Sequence, residues 1–370
     1  MPLPTLRVLL LLLLCTVSLA AACADGQDAA PSEDTAAAPP AAAVDGDDGG
    51  QDGQAAEDTE PPALAIVTTN APMADVLSRL VGGRGSVQAL VPPGMDSHTY
   101  EPRPGDVATV SRADAFIDTG LDLNPEAVAL AEANLPEDAP LVLLGDDVLD
   151  PADLSDEHWH DHDHSHDHSH DHDHGGAAGD AALTGTINPH VWTSVPLVMT
   201  LTDAAGEVLA ELDPADAEGY ATRTADYLAE LVDLDAAITA AVDTLPADGR
   251  TLVVYHDAWV YFGQAYGVEV VAAVQPSDFS EPSASDVRAI IDQIREQDVP
   301  ALFGSEEFDS GVVEAIAAET DAVYIGDLAD DNLPGEPGET VHSYSGMMAL
   351  ATTKIVEALG GDADALATFR

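Results

Sequence analysis

From Leu64 onward, short apolar runs alternate with longer stretches whose apolar residues recur at helical spacing. "LAIVTT", "SVQALV", "AFIDTG" and "LVLLGD" predict strands, and "APMADVLSRLVGG" and "NPEAVALAEANL" between them predict helices. The alternation returns with "TLVVYH", "VEVVAAV", "ALFGSE" and "AVYIGD". Strands that alternate with helices in this way predict an α/β fold of two lobes, each a mainly parallel sheet with flanking helices. The length, 370 residues, is likewise too great for a single compact core.

Between the two series lies "DPADAEGYATRTADYLAELVDLDAAITAAVDTLP". Asp213 is placed to cap a helix, Pro214 suits its first position, and Tyr227, Leu228, Leu231, Leu234 and Ile238 share one face. The pattern predicts a long rigid helix over residues 213–245, joining the lobes. Roughly 30 residues at a rise of 1.5 Å make a rod of about 45 Å. Gly219 leaves open two shorter helices that meet at a kink.

The other boundaries follow from composition. Residues 1–22 carry Arg7, an apolar run and a closing Ala20, Ala21, Ala22, the pattern of a signal peptide. The apolar run is too short to span a bilayer comfortably. Ala20-Ala21-Ala22-Cys23 resembles a bacterial lipobox, so Cys23 is expected to become the lipidated first residue; cleavage and plain secretion is the alternative. Residues 23–62, rich in Ala, Asp, Gly, Pro and Glu, predict a disordered acidic tether. The N-terminal lobe then occupies 63–212, interrupted by a His-rich loop at 156–180, and the C-terminal lobe 246–370. Cys15 and Cys23 are the only cysteines, which excludes disulfides and thiolate zinc sites from the folded part.

Charge narrows the partners. With 68 acidic and 11 basic residues the formal net charge is −57, which repels nucleic acid and anionic lipid and favours cations. Acidity so general, with Lys354 the one lysine, speaks to solubility and to a high-salt or high-GC source more than to a specific site.

In parallel α/β sheets, ligand-binding groups gather beyond the carboxyl ends of the strands. His98 in "VPPGMDSHTYEPRP" follows the strand ending near Val91, His256 closes "TLVVYH", and Asp327 closes "AVYIGD". His190 in "NPHVW" precedes the helices that lead to the linking helix. Three imidazoles and one carboxylate make a tetrahedral set for a divalent borderline metal. His342 opens a helical pattern instead and reads as a capping or surface residue. A further nine histidines occupy every even position of "HWHDHDHSHDHSHDHDH", residues 158–174. All share one parity, which rules out an HxHxDH hydrolase motif, and such a tract predicts a solvated loop that binds zinc weakly.

"VPPGMDSHTYEPRPGDV", "NPHVWTSVP", "YHDAWVYFGQAYGV", "EPSASDVRAIIDQI" and "YIGDLADD…SYSGMMAL", in this order, resemble the landmarks of a known family. It comprises the periplasmic or lipoprotein solute-binding proteins of zinc and manganese ABC importers, and the likeness is to the zinc type, cluster A-I. The resemblance covers nearly everything from about residue 63 onward. It implies a monomeric, extracytoplasmic carrier, held at the cell membrane through Cys23, that passes its ion to ABC permease and ATPase subunits. The ion would lie between the lobes on His98, His190, His256 and Asp327. Imidazole at position 256, where manganese carriers of the family tend to have glutamate, favours Zn2+ over Mn2+. The His-rich loop is frequent in the zinc type. "FGSEEFDS" departs from the family in placing Ser305, and then Glu306, where a glutamate is common.

Two other function classes remain to be weighed. A zinc hydrolase would use the three histidines with Glu306 or Asp257 as base, although no H-E-x-x-H or G-x-S-x-G stretch is present. Surface adhesion or metal buffering would make the histidine tract the working part. For a carrier, affinity should fall as pH drops through the imidazole range near ~6.5.

Overall fold

Residues 63–155, 187–247, 249–275, 282–305 and 311–370 are described by the computed structural model. The expected signal segment, the whole tether with Cys23, the tract 158–174 and Glu306 lie outside the described residues.

The predicted strands form two separate four-stranded sheets, all parallel. The first contains β1 (Leu64–Thr68), β2 (Gly85–Ala89), β3 (Ala115–Asp118) and β4 (Leu141–Leu143), in the order β2-β1-β3-β4. The second repeats that order with β5 (Thr251–His256), β6 (Glu269–Gln275), β7 (Ala301–Ser305) and β8 (Val323–Leu328), as β6-β5-β7-β8. Inner strands β3 and β7 are buried at every position, as befits parallel strands covered on both faces.

Helices cover both sheets: α1 (Ala71–Val81), α2 (Pro104–Val110), α3 (Pro125–Asn134) and α4 (Leu144–Val148) in the first lobe, and α7 (Val260–Tyr266), α8 (Ala284–Glu296), α9 (Gly311–Thr320) and α10 (Tyr344–Ala358) in the second. Their starts follow from local chemistry. Asn70 accepts the Met73 amide at 3.2 Å and Asn124 that of Ala127 at 2.8 Å, each followed by proline in the first turn.

Between the sheets run α5 (Val195–Leu212) and α6 (Ala217–Val242). At 26 residues, α6 is about 39 Å long. It is one continuous helix, with Gly219 in its first turn, where a glycine costs little. Its start differs from the expectation: Pro214–Asp216 form a 3₁₀ turn, and Asp213 ends α5 and makes no side-chain capping bond, its Oδ2 accepting from Arg84 Nε at 3.1 Å. Arg223 pins the first turns of α6 to the end of α1, donating to the Leu80 carbonyl and, at 3.0 Å, to Asp216.

One apolar core runs through both lobes. Ile66 and Ile117 of the first sheet, Leu231, Leu234 and Ile238 of α6, Leu252 and Phe303 of the second sheet and Met347 of α10 all belong to a single buried cluster. Smaller clusters fill the space under α2 and α3 (Val110, Ala127, Ala131) and under α8 and α9 (Ile290, Ile294, Val313, Ile316). Among the described residues, no helix is long and apolar enough to cross a membrane.

Candidate metal centre

The loop from β2 to α2 carries His98, the segment before α5 carries His190, and β5 ends on His256. The three side chains meet. Their ring centroids are 4.8 Å (98–190), 5.2 Å (98–256) and 4.6 Å (190–256) apart, and one nitrogen from each lies within 4.8 Å of the others. Among the described residues they are the only such group of three potential metal ligands. Tetrahedral coordination at 2.0–2.1 Å sets ligand atoms about 3.3 Å apart, so the cluster needs only a small contraction to hold an ion.

Asp327 is not with them. Its side chain is 70% exposed and pairs with Lys354 Nζ at 2.9 Å. The cause is a register shift: Phe303 pairs with Ile325 but Ser305 with Leu328, so β8 carries an extra residue and runs one position past Asp327. The carboxylate that approaches the cluster is Asp331, in the loop before α10, with Oδ1 3.9 Å from His190 Nε2. Asp331 is 2% exposed and its Oδ2 accepts the Ser97 amide at 3.2 Å, while Oδ1 is buried without a hydrogen-bond partner. A buried carboxylate oxygen in that condition is costly unless a cation completes it.

Neighbouring groups fix this loop. Ser305 donates to Asp330 Oδ1 at 3.0 Å and the Trp192 indole to the Asp330 carbonyl at 2.6 Å. Asn332 accepts the Gly94 amide at 3.1 Å and reaches the Met95 carbonyl at 3.4 Å, so the loop with Asp331 is held against the loop with His98. Ser305 thus has work of its own at the position where the sequence departs from the family pattern. His342 sits away from the cluster, half-buried, with Nδ1 3.2 Å from the Gly335 carbonyl and Ser343 beside it capping α10.

The electrostatics suit a cation. Burial, followed by His256 and then His98, holds the His190 pKa well below the usual imidazole range; burial and then His98 do the same for His256. Both rings are therefore neutral at pH 7, the form that ligates metal, and the approach of His190 to Asp331 is not an ion pair. Burial pushes the Asp331 carboxyl up, with His98 pulling the other way. The rings also meet nitrogen to nitrogen, His98 Nε2 lying 2.9 Å from His190 Nε2. His190 Nδ1 faces Asn188 Oδ1 at 2.8 Å, and that atom also receives the His190 amide, so it is the carboxamide oxygen and Nδ1 carries the proton. His190 Nε2 is then a lone pair and His98 Nε2 the donor, a proton that must move to Nδ1 when both nitrogens turn to a metal.

Sequence patterning singles out neither Asp331 nor Asn188 at the site, and marks Ser305 only as a departure from the family pattern. The cluster "DLADDN" holds three aspartates within five residues, a signal that the cleft-facing carboxylate could be any of them.

Known proteins carry the same architecture. The manganese-binding lipoprotein MntA of Halalkalibacterium halodurans is 29% identical over 298 residues, 80% of this chain and 88% of that one. The zinc-binding protein TroA of Treponema pallidum is 28% identical over 309 residues, 82% and 91% of the two chains. The solved structure of the periplasmic zinc-binding protein TroA from that organism superposes with a TM-score of 0.68 at 27% identity, covering 80% of this chain and 99% of its own. The model of the family described as ZnuA, zinc-uptake complex component A, periplasmic, matches residues 66–358, and the chain belongs to that family.

Proposed function

We propose that the protein captures a divalent transition-metal ion outside the cytoplasm on His98, His190, His256 and Asp331 and delivers it to an ABC permease. The carrying observation is that imidazole nitrogens from both lobes, those of His190 and His256 buried and that of His98 half-buried, converge within 4.8 Å beside an unpartnered carboxylate oxygen. Four protein ligands fill a tetrahedral shell and leave no position for an activated water, the arrangement of a holding site rather than a hydrolytic one. Release then requires the lobes to shift and pull ligands away. Three imidazoles against one carboxylate favour zinc over manganese, and relatives named for either metal make this the point to test.

Acylation at Cys23 would hold the carrier at the membrane, with the acidic residues behind it as tether. Ser155 accepts the Asn188 amide at 2.9 Å, so the chain ends that bracket the histidine tract meet two residues from His190, a placement that suits a tract collecting zinc beside the site.

Competitive titration of the protein lacking residues 158–174 tests the proposal. One tight zinc site per chain, preferred over manganese and lost in His256→Ala, is the expected result. A manganese preference overturns the metal assignment. Tight binding that disappears with the tract but survives His256→Ala overturns the inter-lobe site.

A further inference from the structure

Asn188 is 1% exposed, and every polar group it has is engaged. Its backbone amide goes to Ser155 and its carbonyl accepts the Tyr261 hydroxyl at 2.6 Å. Its side chain faces two ways. The oxygen receives the amide of His190 at 3.1 Å and Nδ1–H of the His190 ring at 2.8 Å. The nitrogen donates to the carbonyl of Asp257 at 2.6 Å and approaches Asp257 Oδ2 at 3.4 Å. Asp257 directly follows His256, so the same carboxamide touches the segment that brings a ligand from each lobe.

We propose that Asn188 is a positioning residue for the bound ion, one neutral side chain that sets the tautomer of His190 and ties that imidazole to the strand end carrying His256. The inference rests on the metal-binding reading above. Only a carboxamide supplies both functions. A hydrophobic residue would leave Nδ1–H unpartnered and let the ring turn or change tautomer, so that Nε2 is no longer reliably the lone pair. An aspartate could still accept from His190, but it would set a carboxylate oxygen against the carbonyl and carboxylate of Asp257 with no proton between them. Packing is not the issue, because Thr193 independently bridges the same segments, its hydroxyl 3.0 Å from the carbonyls of both His190 and Ala258.

The test compares wild type, Asn188→Ala and Asn188→Asp. Nitrogen chemical shifts of His190 in metal-free protein report the tautomer, and a chromophoric chelator reports zinc affinity and release. Wild type should show the Nδ1–H form. Asn188→Ala should show a mixture and bind zinc about 10–100-fold more weakly, the usual loss when a partner behind a histidine ligand is removed. Asn188→Asp should keep the Nδ1–H form yet release zinc faster. If Asn188→Ala lowers thermal stability or affinity while the His190 tautomer stays as in wild type, the proposal is overturned and Asn188 is only a structural node. A wild-type protein that binds no zinc at all overturns the metal-binding reading instead, and the tautomer comparison still decides what Asn188 does to His190.

Discussion

Oδ1 of Asp331 lies 3.9 Å from Nε2 of His190, buried and without a hydrogen-bond partner, whereas the carboxylate of Asp327 is in solvent beside Lys354. The two aspartates therefore make opposite predictions. Asp331→Ala should weaken zinc binding by at least about 100-fold, since breaking a buried charge pair costs ~3–5 kcal/mol. Asp327→Ala should leave it unchanged, because exposed ion pairs contribute at most about 1 kcal/mol to stability and nothing to a distant site. Chelator competition on both variants reads the difference, and equal losses would return Asp327 to the ligand set.

The buried imidazoles link stability to pH. An unfolded histidine titrates near ~6.5, while His190 and His256 are held well below that by burial. Between those values the unfolded chain takes up protons that the folded one does not. The metal-free protein should therefore be most stable above about pH 6.5 and lose up to ~1.4 kcal/mol per pH unit for each imidazole below it. Asp331, raised by burial, acts in the opposite sense at lower pH. For these two ligands zinc binding should persist through pH 6.5, later than the simple imidazole range suggests. Denaturant unfolding at pH 7.5, 6.5 and 5.5 tests the first part, and a flat profile would contradict it.

The alternation of apolar runs made both sheets and the long helix legible, because strand and helix periods are local properties of the chain. Two of the histidines were legible for a related reason: His98 follows and His256 ends a strand whose carboxyl end faces the cleft, while His190 stood out by the NPHVW segment before α5. The carboxylate that approaches them was not. Which of Asp327, Asp330 and Asp331 turns inward depends on a one-residue shift between β7 and β8 and on the pull of Lys354, and pairing register across strands leaves no local mark. Asn188 was hidden likewise, since its role exists only once Asp257, 69 positions away, lies against it.

Asn332 offers a way to separate grip from affinity. It ties the loop of Asp331 to the Gly94–Met95 backbone of the opposite lobe. Asn332→Ala removes contacts of about 1 kcal/mol in sum, which corresponds to roughly a fivefold rise in the zinc release rate. The association rate should hardly change, because the ligands themselves are intact. Stopped-flow release into excess chelator measures this, and an unaltered rate would show that the loop contact has no part in retention.

A core shared by both lobes sets a limit on how they can move. Leu231 on α6 is fully buried in the cluster that also contains Ile66 and Leu252, whereas its neighbour Val232 is 54% exposed. Leu231→Ala should cost about 2–5 kcal/mol and Val232→Ala less than about 0.5 kcal/mol. Because the cavity opens between the sheets, the loss should appear on both sides of α6 together: hydrogen exchange in β1 and in β5 should accelerate by similar factors. Protection lost in one sheet alone would mean that the lobes unfold independently, and then metal release could proceed by free hinge motion. Equal losses fit a carrier in which α6 allows only small shifts of one lobe against the other, enough to draw Asp331 or His256 away from the ion without parting the lobes.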